Sequence, residues 1–165
     1  MTEKTYTQSP WSLKDLFDSF EDPKIEETYQ ALSQNVEQFE AYRDQLSADI
    51  SQEKFLEIIG KLEEGQKLGY RLYGFAELSF AANTQDQKAQ IGISRIQQFL
   101  AELENRTLFF SLWWKALDDQ NAARLLEKSG DYRYFLEQIR SMKPYTLSEP
   151  EEKVINIKNV TGTSA

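Results

Sequence analysis

The apolar positions of this chain fall into stripes with helical spacing, and the stripes predict its elements one by one. Asp22-Pro23 reads as an N-cap followed by proline at the first helical position, where the missing N–H costs nothing. From there Ile25, Tyr29, Leu32, Val36, Phe39, Arg43 and Leu46 step by four and three residues. That spacing predicts a helix with one apolar stripe, and Arg43 fits it because its stem packs while its head reaches water. Ser51 caps a second predicted helix, with Glu53 in its first turn. Its inner face holds Phe55, Ile58, Ile59, Leu62, Leu72, Tyr73, Ala76 and Phe80. Gly65 and Gly69 lie one turn apart on that face. A glycine costs a helix interior about 1 kcal/mol relative to alanine, so the close approach of a neighbouring helix is expected there.

Asn83-Thr84 separates the second helix from a third, and Thr84-x-x-Gln87 matches a capping box. Ala89, Ile93, Ile96, Leu100, Leu103, Thr107, Phe110, Trp114 and Leu117 keep the four-three alternation throughout. At about 1.5 Å per residue, Thr84 to Asp118 would span roughly 50 Å. Helices one and three are expected as partners, with helix two running between them in an up-down-up arrangement. Near its end the third helix changes character: Leu108-Phe-Phe-Ser-Leu-Trp-Trp-Lys-Ala-Leu is apolar around most of its circumference. Such a helix needs cover on more than one side. Two readings stay open. Either the shorter C-terminal helices supply the cover, or Phe109, Trp113 and Trp114 form a patch that meets another domain or self-associates.

Three shorter helices follow. The first runs from Asp118 to Gly130, a natural C′ glycine, and the second is capped by Asp131 and ended by Pro144. The third opens on the capping box Ser148-Glu-Pro-Glu151 and continues through Lys158. Strand signals and fixed-period repeats are absent. The predicted fold is all-α: three long helices forming antiparallel hairpins or a bundle, then three shorter ones. Residues 1–21 read as an anchor segment pinned by Trp11, Leu13, Leu16, Phe17 and Phe20. Residues 22–119 read as the three-helix bundle and residues 120–165 as a short-helix segment.

Composition narrows the chemistry. The chain contains no histidine and no cysteine. Zinc sites usually need those ligands, and serine and cysteine nucleophiles usually need an imidazole partner. The two methionines are too few for a soft-metal box. The 27 acidic residues make carboxylate pairs easy to find. Yet Glu63-Glu64, Asp118-Asp119 and Glu151-Glu152 are adjacent in sequence and so diverge on a helix. Neither a phosphate-binding loop nor a dinucleotide fingerprint is present. No catalytic residue and no metal ligand is assigned to this chain.

A net charge of −8 argues against nucleic acid and anionic membrane as partners. No apolar run is long enough to span a bilayer and no secretory leader is visible, so a cytoplasmic location is expected. On that expectation the Asn-x-Thr sequons at Asn105 and Asn159 are chance matches. Tyr132-Arg133-Tyr134 is the remaining candidate for specific recognition. Arginine and tyrosine together can hold a carboxylate or a peptide backbone; alternatively the rings pack inward and Arg133 pairs locally.

Two C-terminal phrases, Asp131-Tyr-Arg-Tyr-Phe-Leu-Glu137 and Lys143-Pro-Tyr-Thr-Leu-Ser-Glu-Pro-Glu-Glu-Lys153, resemble the N-terminal half of the oligoendopeptidase F family of zinc metallopeptidases, in the thimet-oligopeptidase-like clan. The opening Trp11-Ser-Leu-Lys-Asp-Leu-Phe17 and Asp22-Pro-Lys-Ile-Glu-Glu27 resemble the family's start, and Leu108-Phe-Phe with Ala116-Leu-Asp118 falls between in the right order. The resemblance implies an all-helical body with a deep channel, whose N-terminal lobe restricts entry to short peptides. It also implies a zinc-binding His-Glu-x-x-His helix further along the polypeptide, which no position here matches. The chain is accordingly expected to be an inactive N-terminal part of a longer enzyme. It would need no cofactor of its own and would partner the downstream catalytic domain. A stand-alone helical-bundle interaction module is the alternative. Reading the gene past Ala165 separates the two.

Overall fold

The computed structural model describes residues 12–162, with side chains described as far as Asn159. The anchor role expected of Trp11 lies outside the described residues. Asp22 caps α1 (Pro23–Glu40), one carboxylate oxygen accepting the Lys24 N–H at 3.0 Å and the other the Asp18 N–H at 2.9 Å. The same side chain therefore starts the helix and ties down the preceding turn. Ser51 caps α2 (Gln52–Ala82) through the Lys54 N–H. α3 (Gln87–Ala116) is capped by Asp86, which accepts the Lys88 N–H at 2.8 Å, and the predicted Thr84 box does not form. An aspartate at that point sets a negative charge against the positive end of the helix dipole, which a threonine hydroxyl cannot match.

Cross-helix pairs define the arrangement. Glu21 meets Lys88, Tyr29 meets Phe99 and Glu40 meets Arg106, so α1 and α3 run parallel. Tyr42 bonds Glu57, Asn35 bonds the Lys61 carbonyl and Arg71 bonds the Leu16 carbonyl, so α2 runs opposite to α1. Phe55 packs against Phe110 and Trp114 at the other end of the α2–α3 pair. This is the up-down-up arrangement expected from the stripes.

Local departures have local causes. α1 stops at Glu40 although its stripe continues, and Arg43–Gln45 forms a 3-10 turn. The turn brings Leu46 and the buried Ile50 under the aromatic cluster, an apolar gain unavailable to a straight helix. On α2 the core takes Phe75, whose ring lies 5.3 Å from Phe17 and 4.9 Å from Phe20. Tyr73, the residue chosen from the pattern, is half exposed. α4 (Asp119–Glu127) ends before Gly130, which has φ +53° and opens a 3-10 turn over Gly130–Tyr132. That turn leads into α5 (Arg133–Ser141) with no side-chain cap from Asp131.

After a 3-10 turn at Lys143–Tyr145, α6 (Glu149–Gly162) runs antiparallel to α3. Asn156 donates to Asn105 at 3.0 Å, and Glu152 sits 3.9 Å from Lys115. The expected capping box is seen in its reciprocal half, with Glu151 accepting the Ser148 N–H at 2.9 Å.

The paired glycines behave as the pattern predicts. A Cβ on Gly65 would lie 2.6 Å from the Asn35 Oδ1, and one on Gly69 would lie 3.4 Å from Leu100. Gly60 and Gly74 face open space. Gly74→Ala is therefore expected to stabilise the chain by about 0.5–1 kcal/mol through helix propensity. Gly65→Ala is expected to destabilise it by about 1–3 kcal/mol, because Asn35 must move off its bond to Lys61. Urea midpoints of the two variants check this, and equal shifts in the same direction would remove the close approach as an explanation.

Candidate functional site

The expected contact patch, Phe109, Trp113 and Trp114, is corrected by the structure at two of its three positions. Phe109 and Trp114 are buried within the chain. Trp114 is enclosed by Phe55, whose ring centroid lies 5.2 Å away, together with Leu125 of α4 and Leu136 of α5 in one apolar cluster. Its indole N–H donates to the Leu136 carbonyl at 2.9 Å. Phe109 packs 5.3 Å from Phe39 and carries the Arg43 guanidinium above its ring. The short helices therefore supply the cover that the all-round apolar segment requires, the first of the two readings. Trp113 alone is only half-buried, against Phe55 and Phe110.

Tyr132, Arg133 and Tyr134 are not brought together. The Tyr132 hydroxyl donates to Glu63 of α2 at 3.1 Å, and this bond to a carboxylate holds its proton above the ordinary phenol value. Arg133 pairs with Glu137 one turn along α5. Tyr134 points elsewhere and is 73% exposed. Three diverging side chains make no pocket.

The outward apolar surface of α6 was not foreseen from the residue pattern. That helix turns Glu149, Glu152 and Asn156 toward the bundle, where they meet Arg43, Lys115 and Asn105. Val154 and Ile157, one turn apart, are left 56% and 57% exposed, with Ile155 beside them. Tyr145 and Leu147, in the approach to the helix, are exposed too. An ordinary surface helix has the reverse polarity. The inversion is legible only once the Asn105, Lys115 and Arg43 contacts are known.

A second feature is a groove of about 340 Å³ between α1, α2 and α3. Its walls include Leu32, Val36, Leu100 and Leu103, and α2 contributes Gly65 and Gly69 between Leu62, Gln66, Tyr70 and Tyr73. Asn35 and Glu104 enter it from α1 and α3. Among the described residues no group of three or more Asp or Glu could hold a metal ion. With no histidine or cysteine in the chain, its donor set does not fit zinc. No helix among the described residues is long and apolar enough to cross a membrane.

The architecture is thus an all-α bundle with two apolar clusters. Residues 113–165 match the family model for the N-terminal region of M3 peptidases, described as oligopeptidase F. The matched stretch begins at Trp113, in the last turn of α3, and takes in α4, α5 and α6. It agrees with the resemblance read from Asp131–Glu137 and Lys143–Lys153, and it supports a peptidase N-terminal module. No match is found among curated proteins or among solved structures.

Proposed function

We propose that this chain is the non-catalytic N-terminal helical lobe of a zinc-dependent oligoendopeptidase. In this reading it restricts entry to the channel in which a downstream catalytic domain hydrolyses short peptides. The observation that carries the reading is the family match over residues 113–165. The zinc ligands would come from a His-Glu-x-x-His helix in the catalytic domain, where the metal supplies the activated water. This chain contributes wall and not chemistry.

The outward apolar surface of α6 then has a natural occupant. Val154 and Ile157 lie inside the matched segment, on a helix whose inner side is already used by polar contacts to α3. The catalytic domain of the same polypeptide would cover them, and Trp113 belongs at the edge of that contact. In the second reading, a stand-alone interaction module, the same face meets a separate protein. That reading draws support from the two apolar clusters, which close without any outside residue.

The test uses the native polypeptide, immunopurified from its source with antibodies to this chain. It is expected to contain a His-Glu-x-x-His sequence and to cleave quenched fluorescent peptides of about ten residues. A chelator should abolish that activity and added zinc restore it. Val154→Lys with Ile157→Lys in that polypeptide should increase hydrolysis of unfolded protein substrates relative to short peptides. A native polypeptide with neither the motif nor peptidase activity would overturn the proposal.

A further inference from the structure

The groove between α1, α2 and α3 has a polar lining that carries a single charge, that of Glu104. Asn35 is buried on α1, and its amide nitrogen donates to the Lys61 carbonyl at 3.3 Å. That bond leaves its oxygen as the group facing Gly65. Across the groove, Glu104 has no cation or hydrogen-bond donor on its carboxylate among the described residues, and the protein around it pushes its carboxyl above the ordinary value. The residue as a whole is exposed, so the carboxylate is accessible from solvent while losing hydration on its groove side. Thr107 spends its hydroxyl proton on its own helix, 3.2 Å from the Leu103 and Glu104 carbonyls. The Tyr73 hydroxyl is engaged with Glu77 and Gln97. Gln66 and Tyr70 border the groove from α2 and can donate as well as accept, so Glu104 is the one charged group in its lining.

The trough owes its shape to the glycines. Gly65 and Gly69 put no side chain into the space between Leu32 and Leu100, so α2 presents backbone there, flanked by Leu62, Gln66, Tyr70 and Tyr73. Its volume lies at the lower end of the range for small-molecule sites, which are apolar clefts with a few placed polar groups. Tyr70 borders the opening and is exposed, which offers an aromatic face to a cation entering there. The net charge of −8 adds a long-range attraction of the same sign.

We propose that this groove binds a small organic ammonium, a primary amine on an apolar body of hexyl size, with the alkyl chain between Leu32, Leu100 and Leu103 and the ammonium at Glu104. A carboxylate or phosphate would meet the like charge of Glu104. A neutral alcohol would fill the trough without answering Glu104. The inference stands apart from the peptidase reading, since it uses only groups of this chain.

Amide NMR titration of the full chain with hexylammonium, hexanol and hexanoate at one ionic strength tests it. Hexylammonium is expected to give saturable shifts at Gly65, Gly69, Leu103, Glu104 and Thr107. Hexanol should bind roughly tenfold more weakly and hexanoate more weakly still, as fits loss of a charge-assisted hydrogen bond. Replacing hexyl by butyl should weaken binding by roughly fifteenfold, at about a fourfold loss per methylene. Glu104→Gln should remove the advantage of the ammonium over the alcohol and leave hexanol binding unchanged. Its thermal midpoint, expected to stay at the parent value, shows that the fold is intact. Equal affinities for hexylammonium and hexanol would overturn the proposal. So would shifts centred on α6, or an ammonium preference that survives in Glu104→Gln.

Discussion

Trp114→Ala is expected to destabilise the chain by about 3–5 kcal/mol, the largest loss from any single ring in the molecule. The indole is fully buried at the junction of α2, α3, α4 and α5, with Phe55 on one side and Leu125 and Leu136 in the same cluster. Removing it leaves a cavity that four elements would have to collapse together to fill, and rigid helices do that poorly. The Arg140 guanidinium above the ring loses its support as well. Trp113→Ala, at the neighbouring partly buried position, should cost about 1–2 kcal/mol, since part of its surface already meets water. Trp114→Phe keeps most of the volume but drops the indole donor to the Leu136 carbonyl, for a cost of about 1–2 kcal/mol. Urea unfolding of the three variants gives the ranking through midpoints at constant slope. A larger loss for Trp113→Ala than for Trp114→Ala would mean that the cluster closes around the other indole.

The contrast between these two tryptophans shows where sequence reading runs out. The four-three stripe on α3 selected Ile96, Leu103, Phe110 and Trp114 as inward positions, and the structure buries all four. It could not decide what lies around the rest of the helix at Leu108–Leu117, because cover there comes from Leu125 and Leu136, residues distant in sequence. The glycine pair on α2 announced a close approach, which Asn35 and Leu100 supply. Gly92 carries the same meaning: a Cβ there would run into the Phe20 ring. It stood alone in an otherwise regular stripe, so no periodicity marked it. The inverted polarity of α6 was hidden for the same reason as the cover over Trp114. Glu149, Glu152 and Asn156 look like a solvated face until Arg43, Lys115 and Asn105 are placed opposite them. Local spacing sets the elements; long-range polar pairs set which side of a late helix faces in.

Arg140→Met is expected to cost about 2–4 kcal/mol, although the sequence marks Arg140 only as a basic residue near the end of a short helix. Its side chain is 12% exposed. One guanidinium nitrogen donates to the Trp114 carbonyl at 2.7 Å and the Leu117 carbonyl at 3.0 Å, and the other reaches Asp119 at 2.5 Å. The carbonyls of the last turn of α3 have no partners within the helix, and a cation there also opposes the negative end of its dipole. Asp119 is 92% exposed, so its ion pair is heavily screened and contributes little. The energy therefore resides in the two carbonyl contacts. Asp119→Asn should cost less than about 0.5 kcal/mol, and raising the salt concentration should barely change the penalty of Arg140→Met. Arg140→Lys should fall between, because an ammonium cannot span two carbonyls with the guanidinium fork. Arg133→Ala, whose exposed side chain pairs among the described residues with Glu137 on its own helix, should be close to neutral. Hydrogen exchange should locate the effect, with faster opening of the Leu117, Asp119 and Ala122 amides in Arg140→Met while the middle of α2 stays protected. If Asp119→Asn proves as damaging as Arg140→Met, the ion pair and not the carbonyl clamp fixes the turn from α3 into α4. In the peptidase reading that turn fixes the position of α4, α5 and α6, the helices of the family match. Loosening it would then detach the lobe from its catalytic partner before it unfolds the bundle.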